Sequence, residues 1–358
     1  MTQKIRVGIV GANAERGWAR DAHLAALRTL DSFEVTAVSA RSQANANAAA
    51  AVFKAPLAFG DTLAMVRESH VDLVVVTVKV PEHRAVVLAA LAAGKHVYCE
   101  WPLGKDVQEG EALAAAVPPH VQAVTGLQGL SSPVLRQAAE MIGAGVIGKP
   151  RRLRAFSAAG AWGSQTPDFY RYLQDKRSGA TFESIGGGHT LAAIEMLVGS
   201  YQEVDARCTT FDKRVAVLGS SDAVERSCAD HMFVIGLHQS GCVSSLEVIG
   251  GRTEEPVRFE VQGERGWLRV VGTAPGMCQI APLRLECSAE LDGVREPVAP
   301  ELSGPAVNVA EAYACLAERL AGGDAPLPDF AAALRLHRLV AAVGRASQTG
   351  VRQRPLGA

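Results

Sequence analysis

Glu100, Trp101 and Pro102 stand where a predicted strand, which begins at His96, comes to its end. Open α/β sheets bind ligands at the carboxyl ends of their parallel strands. A carboxylate and a large aromatic ring at such a position therefore indicate a ligand-binding corner. The Trp–Pro bond also permits a cis peptide.

A glycine-rich turn early in the chain has the order of elements that binds a dinucleotide. The apolar run Ile5–Val10 predicts a buried parallel strand, which leads through the turn into a helical stretch over Asp21–Leu30. This order places a pyrophosphate on backbone N–H groups at a helix N-terminus. Asn13 stands at the second glycine position of a Gly-x-Gly-x-x-Gly pattern, and because Asn tolerates left-handed backbone we expect the turn to survive. The turn residues expected to contact the cofactor are Gly11, Asn13, Arg16 and Trp18.

Strands and helices alternate after this turn, which predicts a doubly wound parallel sheet, the Rossmann arrangement. Strands are predicted over 33–39, 57–59, 71–78, 96–99 and 121–125, and helices over 43–53, 61–68, 83–93 and 106–116. Asp61 suits the N-cap position of its helix. The residues that follow the later strands should line the cofactor crevice; the expected contacts are Val78, Lys79, Pro81, His83, Glu100, Trp101 and Gln128.

The end of the second strand bears on the choice of cofactor. NAD-selective folds place an acidic residue there, which binds the ribose 2′-hydroxyl. This chain has no acid at that point, and Arg41 and Ser42 instead suit a 2′-phosphate. NADP(H) is therefore favoured over NAD(H). The alternative is that Arg41 packs on the adenine and tolerates either cofactor.

The composition is that of an ordinary globular chain, with 358 residues, 48% of them hydrophobic and 20% charged, long enough for two domains. The net charge is −1 and no long basic run occurs, so neither nucleic acid nor a membrane is an expected partner. No signal peptide and no apolar run of transmembrane length is found. The seven cysteines are scattered without C-x-x-C pairs, which favours a reduced cytoplasmic protein without a zinc site.

The second half of the chain predicts an α+β domain with a large, mostly antiparallel sheet. We expect the Rossmann domain over 1–128 and the second domain over 129–358, with the C-terminal helices packing back on the first domain. The helices are predicted at 131–145, 307–321 and 329–348, and the strands at 151–158, 204–211, 231–238, 243–249, 257–262, 267–271 and 283–290.

An irregular segment over 161–179 has the length of a lid or a binding loop. Trp162, Tyr170 and Tyr172 offer aromatic faces there, which suit the C–H faces of a sugar-like ligand. The alternative is that these rings anchor the loop on the second domain.

Several short motifs, in the same order along the chain, resemble those of the Gfo/Idh/MocA family of NAD(P)-dependent oxidoreductases. The resemblance covers nearly the whole length and is greatest for the branch that includes the yeast galactose-regulon repressor, a regulator that binds dinucleotide. The motifs are Val78-Lys79-Val80-Pro81-Glu82-His83, Glu100-Trp101, Leu127-Gln128-Gly129 followed by Ser132-Pro133, Gly188-His189-Thr190, and Asp230-His231.

The resemblance implies roles for particular residues. The family's usual Glu-Lys-Pro motif sets a lysine at the reacting oxygen, and Trp101, which cannot exchange a proton, takes that place here. His189 matches the family's acid/base histidine, but Ile185 and Ala192 replace the acids that usually flank it. Lys79 is the second catalytic candidate, because it follows a neighbouring strand and can supply the charge missing at Trp101.

Two functions fit these residues. The first is hydride transfer between NADP(H) or NAD(H) and a hydroxyl or carbonyl group of a sugar-like substrate, with His189 or Lys79 handling the proton. The second is a catalytically inactive regulator or sensor that keeps dinucleotide and sugar binding. We favour the enzyme because His189 and the aromatic segment remain. Substrate contacts are expected from Trp101, Trp162, Tyr170, Tyr172 and His189. The resemblance also implies a homodimer or homotetramer through the C-terminal sheet.

Overall fold

The computed structural model describes residues 4–291 and 293–355, which divide into two compact units. The first unit comprises the described residues up to Ser131 together with Pro297–Leu334. The second comprises Ser132–Glu296, without residue 292, and the described residues from Arg335 onward.

A parallel sheet forms the centre of the first unit. Its strands are β1 (Ile5–Val10), β2 (Phe33–Ser39), β3 (Leu57–Phe59), β4 (Leu73–Val76), β5 (His96–Glu100) and β6 (Ala123–Gly126). They lie in the order β3-β2-β1-β4-β5-β6, and every neighbouring pair is parallel. The order reverses direction between β1 and β4, which is the switch point where such sheets bind ligands. The predicted Rossmann sheet is confirmed.

Several connecting helices begin where a side chain accepts hydrogen bonds from the first turn. Ser42, Asp61 and Asp106 act in this way, so the predicted N-cap at Asp61 is confirmed. The helix after the glycine turn is π-helical over Ala19–Leu24, and its α-helical continuation ends at Leu27 rather than at the predicted Leu30. The helices are α1 (Ala25–Leu27), α2 (Gln43–Phe53), α3 (Thr62–Val66), α4 (Val80–Ala92) and α5 (Val107–Ala115).

The described part of the second unit contains one large mixed sheet and one small sheet. The strands are β7 (Pro150–Ala159), β8 (Gln165–Thr166), β9 (Tyr201–Thr209), β10 (Arg214–Val217), β11 (Ala223–Glu225), β12 (His231–His238), β13 (Val243–Gly250), β14 (Arg258–Gly263), β15 (Trp267–Gly272) and β16 (Leu283–Cys287). The large sheet has the order β16-β15-β14-β7-β13-β12-β9. Only its β7–β13 pair is parallel, so the predicted, mostly antiparallel sheet is confirmed. The small sheet, β11-β10-β8, was not predicted.

The remaining helical segments include those that carry the candidate residues Tyr170, Tyr172 and His189. Short 3₁₀ segments cover Asp168–Gln174 and Lys176–Ser178, and a π-helical segment, Phe182–Gly187, leads directly into the helix of His189. The α-helices are α6 (Pro133–Gly143), α7 (Gly188–Val198), α8 (Pro305–Leu320) and α9 (Phe330–Thr349). No helix within the described ranges is long and apolar enough to cross a bilayer, and the seven cysteines are free thiols.

The complete burial of Leu73 in β4 allows a direct test of how much this strand contributes to the core of the first unit. Leu73 is 0% exposed in β4, whereas Leu63 in α3 of the same unit is 37% exposed. We expect Leu73→Ala to lower the free energy of unfolding by about 2–5 kcal/mol, because it leaves a cavity, and Leu63→Ala to lower it by less than about 1 kcal/mol. Urea denaturation of both variants measures the difference, and equal losses would show that β4 is not a core strand.

Candidate functional site

The carboxylate of Glu100, at the end of β5, is held by two donors within the first unit. His23 Nε2 lies 2.9 Å from Oε1, and Gln128 Nε2 lies 2.6 Å from Oε2. The other ring nitrogen of His23, Nδ1, lies 2.7 Å from the hydroxyl of Tyr313 in α8. In the tautomer that donates from Nε2 to Glu100, Nδ1 accepts a hydrogen bond from the Tyr313 hydroxyl. We call these four residues the Glu100 network.

The surroundings of this carboxylate keep other groups protonated. Burial, with a smaller contribution from the negative charge of Glu100, raises the pKa of Tyr98, Tyr313 and Cys99 well above their ordinary values. The Tyr98 hydroxyl is buried and has no hydrogen-bond partner within the described ranges.

The turn after β5 is fixed by His83, at the start of α4. The Trp101–Pro102 peptide bond is cis, as the sequence allowed, and Trp101 is buried. His83 is also buried, and its Nδ1 and Nε2 atoms lie 3.0 Å from the carbonyl oxygens of Pro102 and Val78. Burial lowers its pKa, so the ring is neutral and carries one N–H, which donates to one of these two carbonyls. His83 therefore positions the corner, and its predicted contact with the cofactor stays a prediction.

The glycine turn fits the pyrophosphate of a dinucleotide. Gly11 has a φ of +88°, and a Cβ there would lie 3.0 Å from Val78 Cγ1, so only glycine fits this close approach. The turn is kept without the predicted left-handed backbone at Asn13. Instead, Asn13 Oδ1 accepts hydrogen bonds from the N–H groups of Glu15 and Arg16 at 2.8 and 3.1 Å. The N–H groups of Asn13 and Ala14 have no acceptor within the described ranges and can bind an anion. The indole N–H of Trp18 is likewise buried without an acceptor there.

The two predicted basic residues of the first unit lie at different strand ends. Arg41 follows β2, is exposed and makes no hydrogen bond within the described ranges, while Ser42 caps α2 by accepting the Asn45 N–H at 3.2 Å. Lys79 is the exposed N-cap residue of α4. Because Val76 of β4 pairs with Cys99 of β5, Lys79 and Trp101 follow adjacent strand ends, as predicted.

His189 lies in the first turn of α7, in the second unit. Its side chain is buried, with 7% of the residue exposed, and its ring has no hydrogen-bond partner within the described ranges. Burial lowers its pKa to about 3, so the imidazole is neutral at physiological pH. The nearby carboxylates do not replace the missing acids. Glu183 accepts the Ala229 N–H at 3.0 Å and Glu195 accepts the Tyr201 N–H at 3.0 Å.

The aromatic segment over 161–179 is held in place by buried polar contacts. The Trp162 ring is 2% exposed and donates its N–H to the Leu173 carbonyl at 3.0 Å. It therefore anchors the segment, and the predicted substrate contact from Trp162 conflicts with this burial. Tyr170 is exposed, and Tyr172 is partly buried, which raises its pKa to about 12. These two rings remain accessible to a ligand.

An ion pair fixes the same segment from the start of β12. Arg226 and Asp230 are both buried and lie 2.7 Å apart. The Arg226 guanidinium also donates to Gln174 Oε1 at 2.8 Å and to the Gly163 carbonyl. Asp230 further accepts the N–H groups of Phe211 and Asp212. All of these groups have partners, so the pair orders the segment without leaving a charge unsatisfied.

Sequence reasoning missed His23 and Tyr313. For His23 the available signal was a polar residue in an otherwise apolar helical stretch, because a buried histidine needs hydrogen-bond partners. Tyr313 lies 290 residues further along the chain, so nothing local indicated that it pairs with His23.

The strand order and the glycine turn define the first unit as a dinucleotide-binding Rossmann domain. Residues 5–125 match the model of the oxidoreductase family with an NAD-binding Rossmann fold. Residues 133–272 match the model of the Gal80p C-terminal domain. The first part of the chain therefore matches the Gfo/Idh/MocA oxidoreductase model and the second part the Gal80p C-terminal model, and the resemblance seen in its motifs is confirmed.

Similar proteins include both regulators and dehydrogenases. The galactose/lactose metabolism regulatory protein GAL80 of Kluyveromyces lactis is 28% identical over 79% of this chain and 67% of its own length. Dehydrogenase aclE of Aspergillus oryzae is 29% identical over 79% of this chain and 81% of its own. The crystal structure of a super-repressor mutant of Gal80p from Saccharomyces cerevisiae has a TM-score of 0.89, covers 99% of this chain and 100% of its own, and is 23% identical.

The burial of neutral His189 makes stability depend on pH. Its pKa of about 3 in the folded state lies below the value of about 6.5 expected after unfolding. The unfolded chain therefore binds more protons between these values, and stability falls as the pH falls below about 6.5. Between pH 7 and pH 5, we expect His189→Gln to lose roughly 2 kcal/mol less unfolding free energy than the wild type. Denaturation at both pH values measures this, with His120→Gln, at an exposed site, as the control. Identical pH dependence in wild type and His189→Gln would contradict the assignment.

Proposed function

We propose that the protein is an oxidoreductase that transfers a hydride between NADP(H) or NAD(H) and a hydroxyl or carbonyl group of a sugar-like substrate. The observation that carries the proposal is the glycine turn. Within the described ranges the N–H groups of Asn13 and Ala14 have no acceptor, and these groups and the close-packed Gly11 suit a pyrophosphate. The chain also retains His189. Exposed Tyr170 and partly buried Tyr172 support a ligand with apolar C–H faces.

The roles of the side chains follow from their burial and charge. A bound nicotinamide supplies the hydride chemistry. His189, being neutral, hydrogen-bonds the reacting oxygen; His189 or Lys79 takes the hydroxyl proton as the hydride leaves, and returns it to the oxygen in the reverse direction. Lys79 supplies a positive charge beside the strand end of Trp101. Trp101, with one N–H donor, shapes the pocket and does not exchange the proton.

A second candidate is a regulator or sensor that binds the dinucleotide without turnover. Three positions favour it: Trp101 stands at the lysine position, and Ile185 and Ala192 stand at the positions of the acids. A histidine whose pKa lies near 3 is also a weak base. The similarity to the regulatory protein GAL80 supports this candidate, and the similarity to a dehydrogenase supports the first.

Turnover separates the two candidates. The purified protein would be mixed with NADP(H) or NAD(H) and a panel of sugars, polyols and keto-sugars, and absorbance of the reduced nicotinamide would be followed. We expect turnover that His189→Ala lowers by about 10²–10⁴-fold without changing the cofactor dissociation constant, whereas His120→Ala changes neither. Tight cofactor binding with no turnover across the panel would instead establish the sensor.

Cofactor preference is a separate part of the proposal. Arg41 is exposed, without a partner in the described part of the chain, at the end of β2, where the adenosine ribose binds in Rossmann folds, so NADP(H) is the favoured cofactor. Arg41→Ala should raise the dissociation constant of NADP(H) about tenfold and that of NAD(H) by less than about twofold. Calorimetric titration measures both constants, with Arg67→Ala as a control for loss of an exposed arginine. Equal weakening of the two cofactors would contradict a 2′-phosphate site.

The large sheet of the second unit also supports a proposal of self-association. Phe233 and Ile235 of β12 project from one face, are 48% and 57% exposed, and lie near exposed Val243 of β13. Apolar side chains grouped on one sheet face are typical of an interface. We assign this face to a homodimer or homotetramer. A cytoplasmic location, which the free thiols suit, stays a prediction.

A further inference from the structure

The outer face of the large sheet contains a groove that crosses β7, β14 and β15. Two of its lining residues, Val261 and Leu268, are 1% and 0% exposed, so the side chains that a ligand can reach there are polar or aromatic. None of these side chains belongs to the candidate site described above. They are Arg152, Arg154, Glu260, Gln262, Trp267 and Arg269.

Strand register gathers three arginines of the groove around one carboxylate. Arg154 of β7 pairs with Glu260 of β14, which pairs in turn with Arg269 of β15. Side chains directly opposite each other on antiparallel strands have Cβ atoms about 5 Å apart. Arg152 lies two residues before Arg154 on the same face of β7, about 7 Å away along the strand. The groove thus holds three positive charges against a single negative one.

The one carboxylate of the groove already pairs with other arginines. Glu260 Oε1 lies 3.0 Å from Arg269 Nε and 3.7 Å from Arg258 Nε. The Arg269 guanidinium also lies over the Trp267 ring, with its central carbon 4.8 Å from the ring centre. Glu260 therefore balances Arg258 and Arg269, and the two arginines of β7 are left over.

Arg152 and Arg154 have no partner of their own. Across the ranges that the structure describes, neither side chain forms a hydrogen bond or an ion pair. On their other side β13 places Val243 and Ser245, which carry no charge. The indole N–H of Trp267 also has no acceptor in the described part of the chain. Two neighbouring guanidinium groups that are always charged repel each other, so an anion that bridges them is stabilising.

We propose that this groove binds the phosphate group of a small molecule, with Arg152 and Arg154 on the phosphate oxygens and the Trp267 N–H as a further donor. Guanidinium groups bind phosphate through paired, charge-assisted hydrogen bonds. A phosphate monoester carries up to two charges and three acceptor oxygens, which suits two guanidinium groups better than a single carboxylate does. The inference uses only residues of the second unit and does not rest on the proposed function.

Calorimetric titration of the full-length protein with inorganic phosphate, at constant ionic strength, tests the site. We expect saturable binding whose dissociation constant rises about tenfold in Arg152→Gln and in Arg154→Gln, because each change removes a charge-assisted contact. Both side chains are exposed, so the variants should fold, which circular dichroism checks. In parallel titrations, glucose 6-phosphate should bind with the same dependence on the two arginines, whereas glucose should not bind the groove.

Arg207→Gln is the matched control. Arg207 of β9 is exposed and has no partner within the described residues, and it pairs with Phe233 on the same face of the sheet, outside the groove. We expect this variant to bind phosphate as the wild type does. A loss as large as that in the groove variants would show general attraction of anions to the sheet face and would overturn the site.

Three further results would contradict the inference. The first is no saturable binding by the wild type. The second is an unchanged dissociation constant in both groove variants, as expected if phosphate binds only at the glycine turn. The third concerns self-association, because Arg154, Ser245 and Ile235 form one row across the outer face. If sedimentation shows that phosphate binding is lost in an oligomer, the arginines belong to the interface instead. Cofactor titrations are independent of all three results, so a failure here is distinct from a failure of the proposed function.

Discussion

A carboxylate withdrawn from water needs hydrogen-bond donors, because burial of an unsatisfied charge is costly. At Glu100 this need brings together distant parts of the first unit. His23 comes from the helix after the glycine turn, Gln128 from the segment after β6, and Tyr313 from α8 near the end of the unit. The helix after the glycine turn, the segment after β6 and α8 thus together support the end of β5.

The chemistry of the candidate site differs from the usual family pattern in a consistent direction. Trp101 removes a group that can exchange a proton, and Ile185 and Ala192 remove the acids that would raise the basicity of His189. Apolar neighbours leave burial as the cause of its low pKa. The second unit therefore keeps a histidine suited to hydrogen bonding rather than to full proton transfer.

The regular part of the fold was predictable because buried parallel strands are continuous apolar runs with clear boundaries. The bounds of β1 and β2 agree with those predicted. The small sheet was not predictable, since β8 has two residues and pairs with β10 some fifty positions along the chain, so neither strand carries a periodic signal. Asn13 was correctly assigned to the turn, but for the wrong reason. The prediction relied on the tolerance of Asn for left-handed backbone, whereas the side-chain oxygen forms hydrogen bonds with the turn, and the sequence alone does not distinguish these two roles. Trp162 likewise showed that an aromatic ring in a loop can face inward.

Under the proposed function, the buried pair of Arg226 and Asp230 has a consequence for how the segment over 161–179 selects a ligand. Because the pair and Trp162 already order the segment over 161–179, its backbone has little conformational entropy left to lose when a ligand binds. Such a segment discriminates by shape that exists beforehand, and it rejects a poorly fitting molecule instead of adapting to it. Narrow selectivity among stereoisomers is the expected property of a surface built in this way.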